Sequence, residues 1–168
     1  WPGRASGVSG VGMFVVREDN LESEQTRSLL AMHLAGMHAT SPPGSVFALD
    51  LSGLQAPEVT VWAAWQGDLI ASIGALKMVD SVTGEVKSMR THPAFLRMGA
   101  AALILERIIT TARSRGARQL SLETGSGPAF EPALSLYRRR GFINGEAFSD
   151  YAQSDFNQFL HLRLDEQG

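Results

Sequence analysis

The chain has 168 residues, 44% of them hydrophobic and 19% charged, with a formal net charge of −2. That length favours one domain with a core able to stand without staples, and the slightly acidic balance argues against nucleic acid as the main partner. With no cysteine, disulfides and thiolate metal sites are excluded, no apolar run approaches a membrane span, and the expected location is cytoplasmic.

Residues 1–12 are rich in glycine and serine, without a hydrophobic period. They are expected to be leader or appended residues outside a fold that occupies residues 13–168. Residues 14–17 have strand composition. Asn20 to Ser23 offer N-caps for a helix reaching about His38, with Thr26, Leu29, Leu30, His33 and Met37 on one face. His33 on that stripe reads as a hydrogen-bonded core histidine or as a residue bordering a ligand pocket. Residues 41–57 (SPPGSVFALDLSGLQAP) read as an ordered connection carrying one short helix. They either cap the core or shape specificity. Residues 59–65 and 69–77 are β-branched, apolar runs joined by Gln66, Gly67 and Asp68, which predicts an antiparallel hairpin.

The organising stretch, residues 84–101, reads GEVKSMRTHPAFLRMGAA. Strict alternation places Val86, Ser88 and Arg90 on one side of a strand and Glu85, Lys87 and Met89 on the other. A turn at Thr91, His92 and Pro93 leads to a helix opened by Gly99, Ala100 and Ala101. The unpaired N–H groups and positive dipole end of such a helix attract anions. Small side chains let a phosphate approach, and Arg97 adds a cation. Ala101, Ile104, Leu105, Ile108 and Ala112 form the apolar face of that helix, and Gly116 suits its C-terminal cap. Residues 119–123 are a strand parallel to residues 84–89, since strand, helix and strand in series make a right-handed crossover. Pro132 fits the first turn of a second helix ending at Gly141. Phe142 starts another strand, and after a polar loop residues 157–164 form a closing strand. There Phe159, His161 and Arg163 are on the polar side, and Leu160, Leu162 and Leu164 on the buried one.

Gly99 and Ala101, followed by LYRRRGF at residues 136–142, resemble the signatures of the GNAT superfamily of acyl-CoA-dependent N-acyltransferases. With SLETGSGPAF at residues 121–130, the chain resembles its YsnE-like bacterial branch. Leu96 stands where the family usually has Gln or Arg, and Phe130 where it often has asparagine. The resemblance implies an α/β (α+β) fold of GNAT type, a mixed and mostly antiparallel twisted sheet of about six to seven strands flanked by about four helices. It implies N-acetyltransfer from acetyl-CoA to a primary amine of a small molecule or peptide terminus, by direct attack in a ternary complex. Met89, Arg90 and Thr91 would pair with the pantetheine arm through their backbones, a backbone N–H near Met89 would stabilise the thioester oxygen, and Arg97, Met98, Gly99, Ala100 and Ala101 would hold the pyrophosphate.

The chemistry needs a base for the ammonium and an acid for the leaving thiolate. Tyr137 is the acid candidate, because a phenol of pKa about 10 can protonate a thiolate whose thiol lies near 8.5. The alternative for Tyr137 is a helix anchor. Glu85 is the first base candidate, with an exposed strand residue as its other reading, and Glu123 is the second, or a turn cap. His33, His38, His92 and His161 show no metal-ligand spacing, so no metal is expected. Nine of the thirteen arginines lie between Arg90 and Arg140, which gives the proposed phosphate half a positive field. Exposed edge strands near the C-terminus are compatible with a homodimer. The departures at Leu96 and Phe130 keep open an alternative, a non-catalytic acyl-CoA-binding or sensing module.

Overall fold

Residues 13–165 are described by a computed structural model; the expectation for residues 1–12 lies outside them. Seven strands form one sheet in the order β1-β2-β3-β4-β5-β7-β6. They are β1 (Val15–Glu18), β2 (Val59–Gln66), β3 (Leu69–Met78), β4 (Thr83–Thr91), β5 (Gln119–Thr124), β6 (Ile143–Gly145) and β7 (Gln158–Arg163). Only β4 and β5 pair in parallel. The helices are α1 (Glu24–Thr40), the short α2 (Leu51–Leu54), α3 (Ala100–Ser114) and α4 (Glu131–Arg140). This is the mixed, mostly antiparallel sheet with four helices that the sequence predicts.

Local chemistry sets the boundaries. The Ser23 side chain accepts from Thr26 N at 3.1 Å and starts α1. Gly67 turns the β2–β3 hairpin at φ 57°, and Gly141 ends α4 at φ 111°, where other residues are strained. Pro132 lies in the first turn of α4.

Alternation then sorts the side chains by face. Trp62, Ala64, Leu76, Val86, Leu120, Leu122 and Leu160 pack toward α3 and α4. Val61, Ala63, Ile73 and Ala75 pack toward Leu29 and Leu30 of α1. Helix α3 buries Ala100, Ile104, Leu105, Ile108, Ile109 and Ala112, each large one contributing roughly 1.5–3 kcal/mol. Ala100, rather than the expected Ala101, opens this stripe. Over β5 and β7, the face that α1 leaves uncovered is closed by loop 146–157. The rings of Phe148 and Tyr151 lie 5.9 Å from that of Phe159, so Phe159, expected on a polar side, is buried.

One irregularity matters most. Pairing of β3 with β4 runs Lys77↔Glu85, Leu76↔Val86, Ala75↔Lys87 and then jumps to Ile73↔Arg90, so Gly74 opposes both Ser88 and Met89. Ser88 has φ 59°. This β-bulge overturns the strict alternation read from the sequence. An extra residue flips everything after it, so Met89 joins Val86 on the α3 face and Arg90 joins Glu85 and Lys87 on the α1 face. Glycine at 74 permits this. A Cβ there would collide with Met89 Sδ and lie 2.6 Å from Ile104 Cγ2.

Candidate active site at the β4–β5 fork

Strands β4 and β5 pair only through Thr83↔Gln119, Gly84↔Leu120 and Glu85↔Ser121. Yet β4 continues to Thr91 and β5 to Thr124. The strands diverge after Glu85, because the Ser88 bulge bends β4 and adds twist. The β4 edge facing the gap, which includes Met89, Arg90 and Thr91, has no ladder partner from β5 and can add an extended ligand by strand-like hydrogen bonds.

The same strand leads to the start of α3. His92 Nδ1 accepts from Ala94 N at 3.0 Å and shapes the turn. Arg97 then adopts φ 63° and Gly99 φ 93°. Gly99 N-caps α3 without a side-chain bond, and the first helical bond runs from Leu103 N to Gly99 O at 3.2 Å. The amides of residues 100–102 therefore remain for an anion. A Cβ built on Gly99 meets nothing within 4 Å, so the approach is open. Arg97 and Met98 are exposed beside it. Leu96, 57% exposed, contributes no donor. These residues fit a phosphate-bearing ligand.

Polar side chains gather at the fork on the α1 face. Glu85 is 3% exposed, which overturns its reading as an exposed strand residue. Its Oε2 accepts from Tyr151 OH at 2.5 Å and Lys87 Nζ at 3.2 Å, and Lys87 Nζ lies 2.7 Å from Tyr151 OH. Burial, then the Glu85 charge and its hydrogen bond, push the Tyr151 phenol well above its ordinary range. It stays a donor. Glu123, on the β5 branch, has its carboxyl raised to about 7, chiefly by burial and further by Glu85, against the opposing pull of Lys87 and Asn157. Such a group gives and takes protons near neutrality.

On the α1 wall, His33 accepts from Arg90 Nε through Nδ1 at 3.0 Å. His33 is held down to about 4, mainly by burial and then by the charges of Arg90 and Lys87. It is the hydrogen-bonded core histidine of the first reading, and it also borders the fork. Phe47, from the 41–57 segment, packs edge-on against Tyr151 at 5.3 Å.

Tyr137 lies on the opposite, α3/α4 face, 5% exposed and 5.7 Å from the Phe142 ring. Burial drives its phenol far upward. Phe130, at the family's asparagine position, is buried against Phe156 at 5.5 Å. The structure thus brings Glu85 and Glu123 together and places the Met89 to Thr91 edge and the Arg97 to Ala101 turn on one continuous segment. Sequence reasoning missed Lys87, Tyr151 and Asn157 as neighbours of the carboxylates. Alternation placed Lys87 beside Glu85, but the loop carrying Tyr151 had no period to place it. Among the described residues, no group of three or more His, Asp or Glu side chains could hold a metal ion, and no helix is long and apolar enough to cross a membrane.

Comparison with known proteins adds kinship to this geometry. Residues 17–142 match the model of the acetyltransferase (GNAT) family. The chain is 44% identical over 152 residues to the uncharacterized N-acetyltransferase YedL of Escherichia coli (strain K12), a match covering 90% of this chain and 96% of that protein. It is 46% identical over 149 residues to the uncharacterized N-acetyltransferase YsnE of Bacillus subtilis (strain 168), covering 89% and 99%. Among solved structures, a Bacillus subtilis acetyltransferase in complex with CoA shares the fold, with a TM-score of 0.66 at 18% identity over 90% of this chain and 99% of that one.

Proposed function

This chain belongs to the acetyltransferase (GNAT) family, and from that premise we propose that it moves the acetyl group of acetyl-CoA to a primary amine of a small molecule or a peptide terminus, within a ternary complex. The observation that carries the reading is the fork, with the open β4 edge running directly into the uncapped start of α3. Fold neighbours crystallised with acetyl-CoA or CoA support the choice of ligand. Acetyl-CoA supplies the activated thioester.

The chain's own residues do the rest. Backbone groups of Met89, Arg90 and Thr91 line up the pantetheine arm, and an amide near Met89 meets the carbonyl oxygen, where charge develops. Arg97, Met98 and the amides of Gly99, Ala100 and Ala101 hold the pyrophosphate. Glu123 or Glu85 removes one proton from the ammonium so that nitrogen can attack. As the C–N bond forms and the C–S bond breaks, Tyr137, kept protonated by burial, gives its proton to the leaving sulfur and regains one from solvent, to which the second nitrogen proton is released.

Calorimetric titration with acetyl-CoA, beside dephospho-CoA and desulfo-CoA, tests the site. Salt-sensitive, micromolar binding that Gly99→Glu weakens is expected; no binding at millimolar ligand overturns the reading. Turnover is read as free thiol released by a panel of amines. The chain contains no cysteine, so every thiol detected belongs to CoA. Saturable binding with no amine-dependent thiol would favour a non-catalytic module.

A further inference from the structure

Arg90 poses a charge problem that the acetyltransfer reading leaves unsolved. The Ser88 bulge turns it onto the α1 face, beside Glu85 and Lys87. There it is half-buried, and among the described residues its side chain donates only to His33, from Nε to Nδ1 at 3.0 Å and from NH2 to the His33 carbonyl at 3.4 Å. No carboxylate of the described residues forms an ion pair with it. The ion pairs among the described residues are Lys87 with Glu85, Arg140 with Glu106 and Arg163 with Asp165. A guanidinium that is partly desolvated and lacks a counter-ion is an unmet demand for an anion.

His33 cannot meet that demand. Accepting at Nδ1 makes it the neutral tautomer with its proton on Nε2. It thereby fixes Arg90 in place without supplying charge, and its Nε2–H has no partner among the described residues. Burial lowers the pKa of Arg90 itself, because it takes the cation partly out of water. Lys87 is already neutralised by Glu85 at 3.2 Å. The two branches of the fork therefore carry, on β4, the Arg90 guanidinium without a counter-ion among the described residues and, on β5, the half-buried carboxyl of Glu123, which can face an amine.

A molecule with an ammonium and a carboxylate complements both branches. We propose that the acceptor is an amino carboxylate, an amino acid or a compound built like one, whose carboxylate is received by Arg90 held in position by His33. The inference rests on the acetyltransfer reading and narrows its acceptor. Arg90 is then a specificity-determining residue, acting through its side chain while its backbone lies on the open β4 edge. A simple amine would leave the half-buried guanidinium without a counter-ion, which is how a polar site rejects the analogue that lacks its partner.

The test uses the full chain with saturating acetyl-CoA and matched acceptors with and without the carboxylate: L-phenylalanine against phenethylamine, L-methionine against 3-(methylthio)propylamine, and 4-aminobutanoate against propylamine. In at least one pair the acid is expected to exceed its partner in kcat/KM by about tenfold or more, through KM. Arg90→Gln is expected to bring that ratio close to one, and Arg90→Lys to keep part of it. A structural defect would slow both members alike and preserve the ratio, so an unchanged ratio in Arg90→Gln overturns the assignment. So does wild-type protein that prefers the plain amine in every pair. If acetyl-CoA binds but no acceptor releases thiol, the acetyltransfer reading fails by itself. The carboxylate site is then read by titrating the same acids into CoA-loaded protein. Binding that Arg90→Gln weakens tenfold sustains it, and no binding overturns it.

Discussion

Tyr151 donates a 2.5 Å hydrogen bond to Glu85 from 66 residues further along the chain. This bond pins loop 146–157 over the buried end of the β4–β5 pairing and commits one carboxylate oxygen. Tyr151→Phe keeps the ring contacts with Phe47, Phe148 and Phe159 and removes only the hydroxyl. A bond to a charged, buried acceptor contributes about 1.5–3 kcal/mol. Urea unfolding of Tyr151→Phe is expected to show a loss of that order, with faster proteolytic cleavage inside the loop.

Glu123, raised to about 7, predicts a rate profile with an inflection near neutrality. Glu123→Gln should lower kcat and remove that inflection, while Glu85→Gln should keep an inflection but move it to lower pH, because the Glu85 charge helps raise Glu123. If Glu85 is the base, Glu85→Gln should instead abolish the rise of rate with pH for a normal amine acceptor. Stability follows the same shift. A carboxyl whose folded pKa lies above its unfolded value of 4.5 favours the fold at low pH and loses that contribution as pH rises toward 7. Glu123→Gln should therefore be more stable than the parent above pH 7, by on the order of 1 kcal/mol after solvent screening, and equal to it below the unfolded pKa.

His33 works in the opposite direction. Its pKa falls from 6.5 to about 4, so the fold holds it neutral, and the unfolded chain binds the extra proton between those values. That stability is present above pH 6.5 and is lost as pH falls through 4. The loss amounts to about 3 kcal/mol at most. Thermal unfolding across this window should show a shallower acid limb in His33→Gln, which can still accept from Arg90.

Gly74 faces the bulge with no room for a side chain. Gly74→Ala forces Met89 and Ile104 to move, and overpacking of this kind costs typically about 1–3 kcal/mol. Because Met89 belongs to the open β4 edge, acetyl-CoA affinity measured by calorimetry should fall along with the unfolding midpoint. A variant that loses stability alone would separate the bulge from the binding edge.

Tyr137→Phe tests the proposed proton donor. Packing against Phe142 survives the change, so acetyl-CoA affinity should hold within about twofold while kcat falls about a hundredfold or more, the lower part of what general acid catalysis contributes. Unchanged turnover would leave Tyr137 as an anchor of α4.

What the sequence alone determined was local and periodic. The stripe of Ile104, Leu105 and Ile108, the turns at Gly67 and Gly141, the N-cap at Ser23 and the strand–helix–strand crossover through α3 depend on neighbours within a turn or two, and composition records those directly. The Gly99 helix start and the tyrosine block at residues 136–142 were legible for the same reason. Tertiary structure decided the chemistry at the fork. Alternation assigned Arg90 to the wrong face, because a bulge depends on what the partner strand offers opposite it, here Gly74. The burial of Glu85 stayed open between a base and an exposed strand residue, since nothing near it in sequence announces Tyr151. The raised carboxyl of Glu123 and the uncompensated guanidinium of Arg90 arise from burial and from charges on distant segments. Electrostatic free energies depend on distance in space, which a linear pattern does not encode.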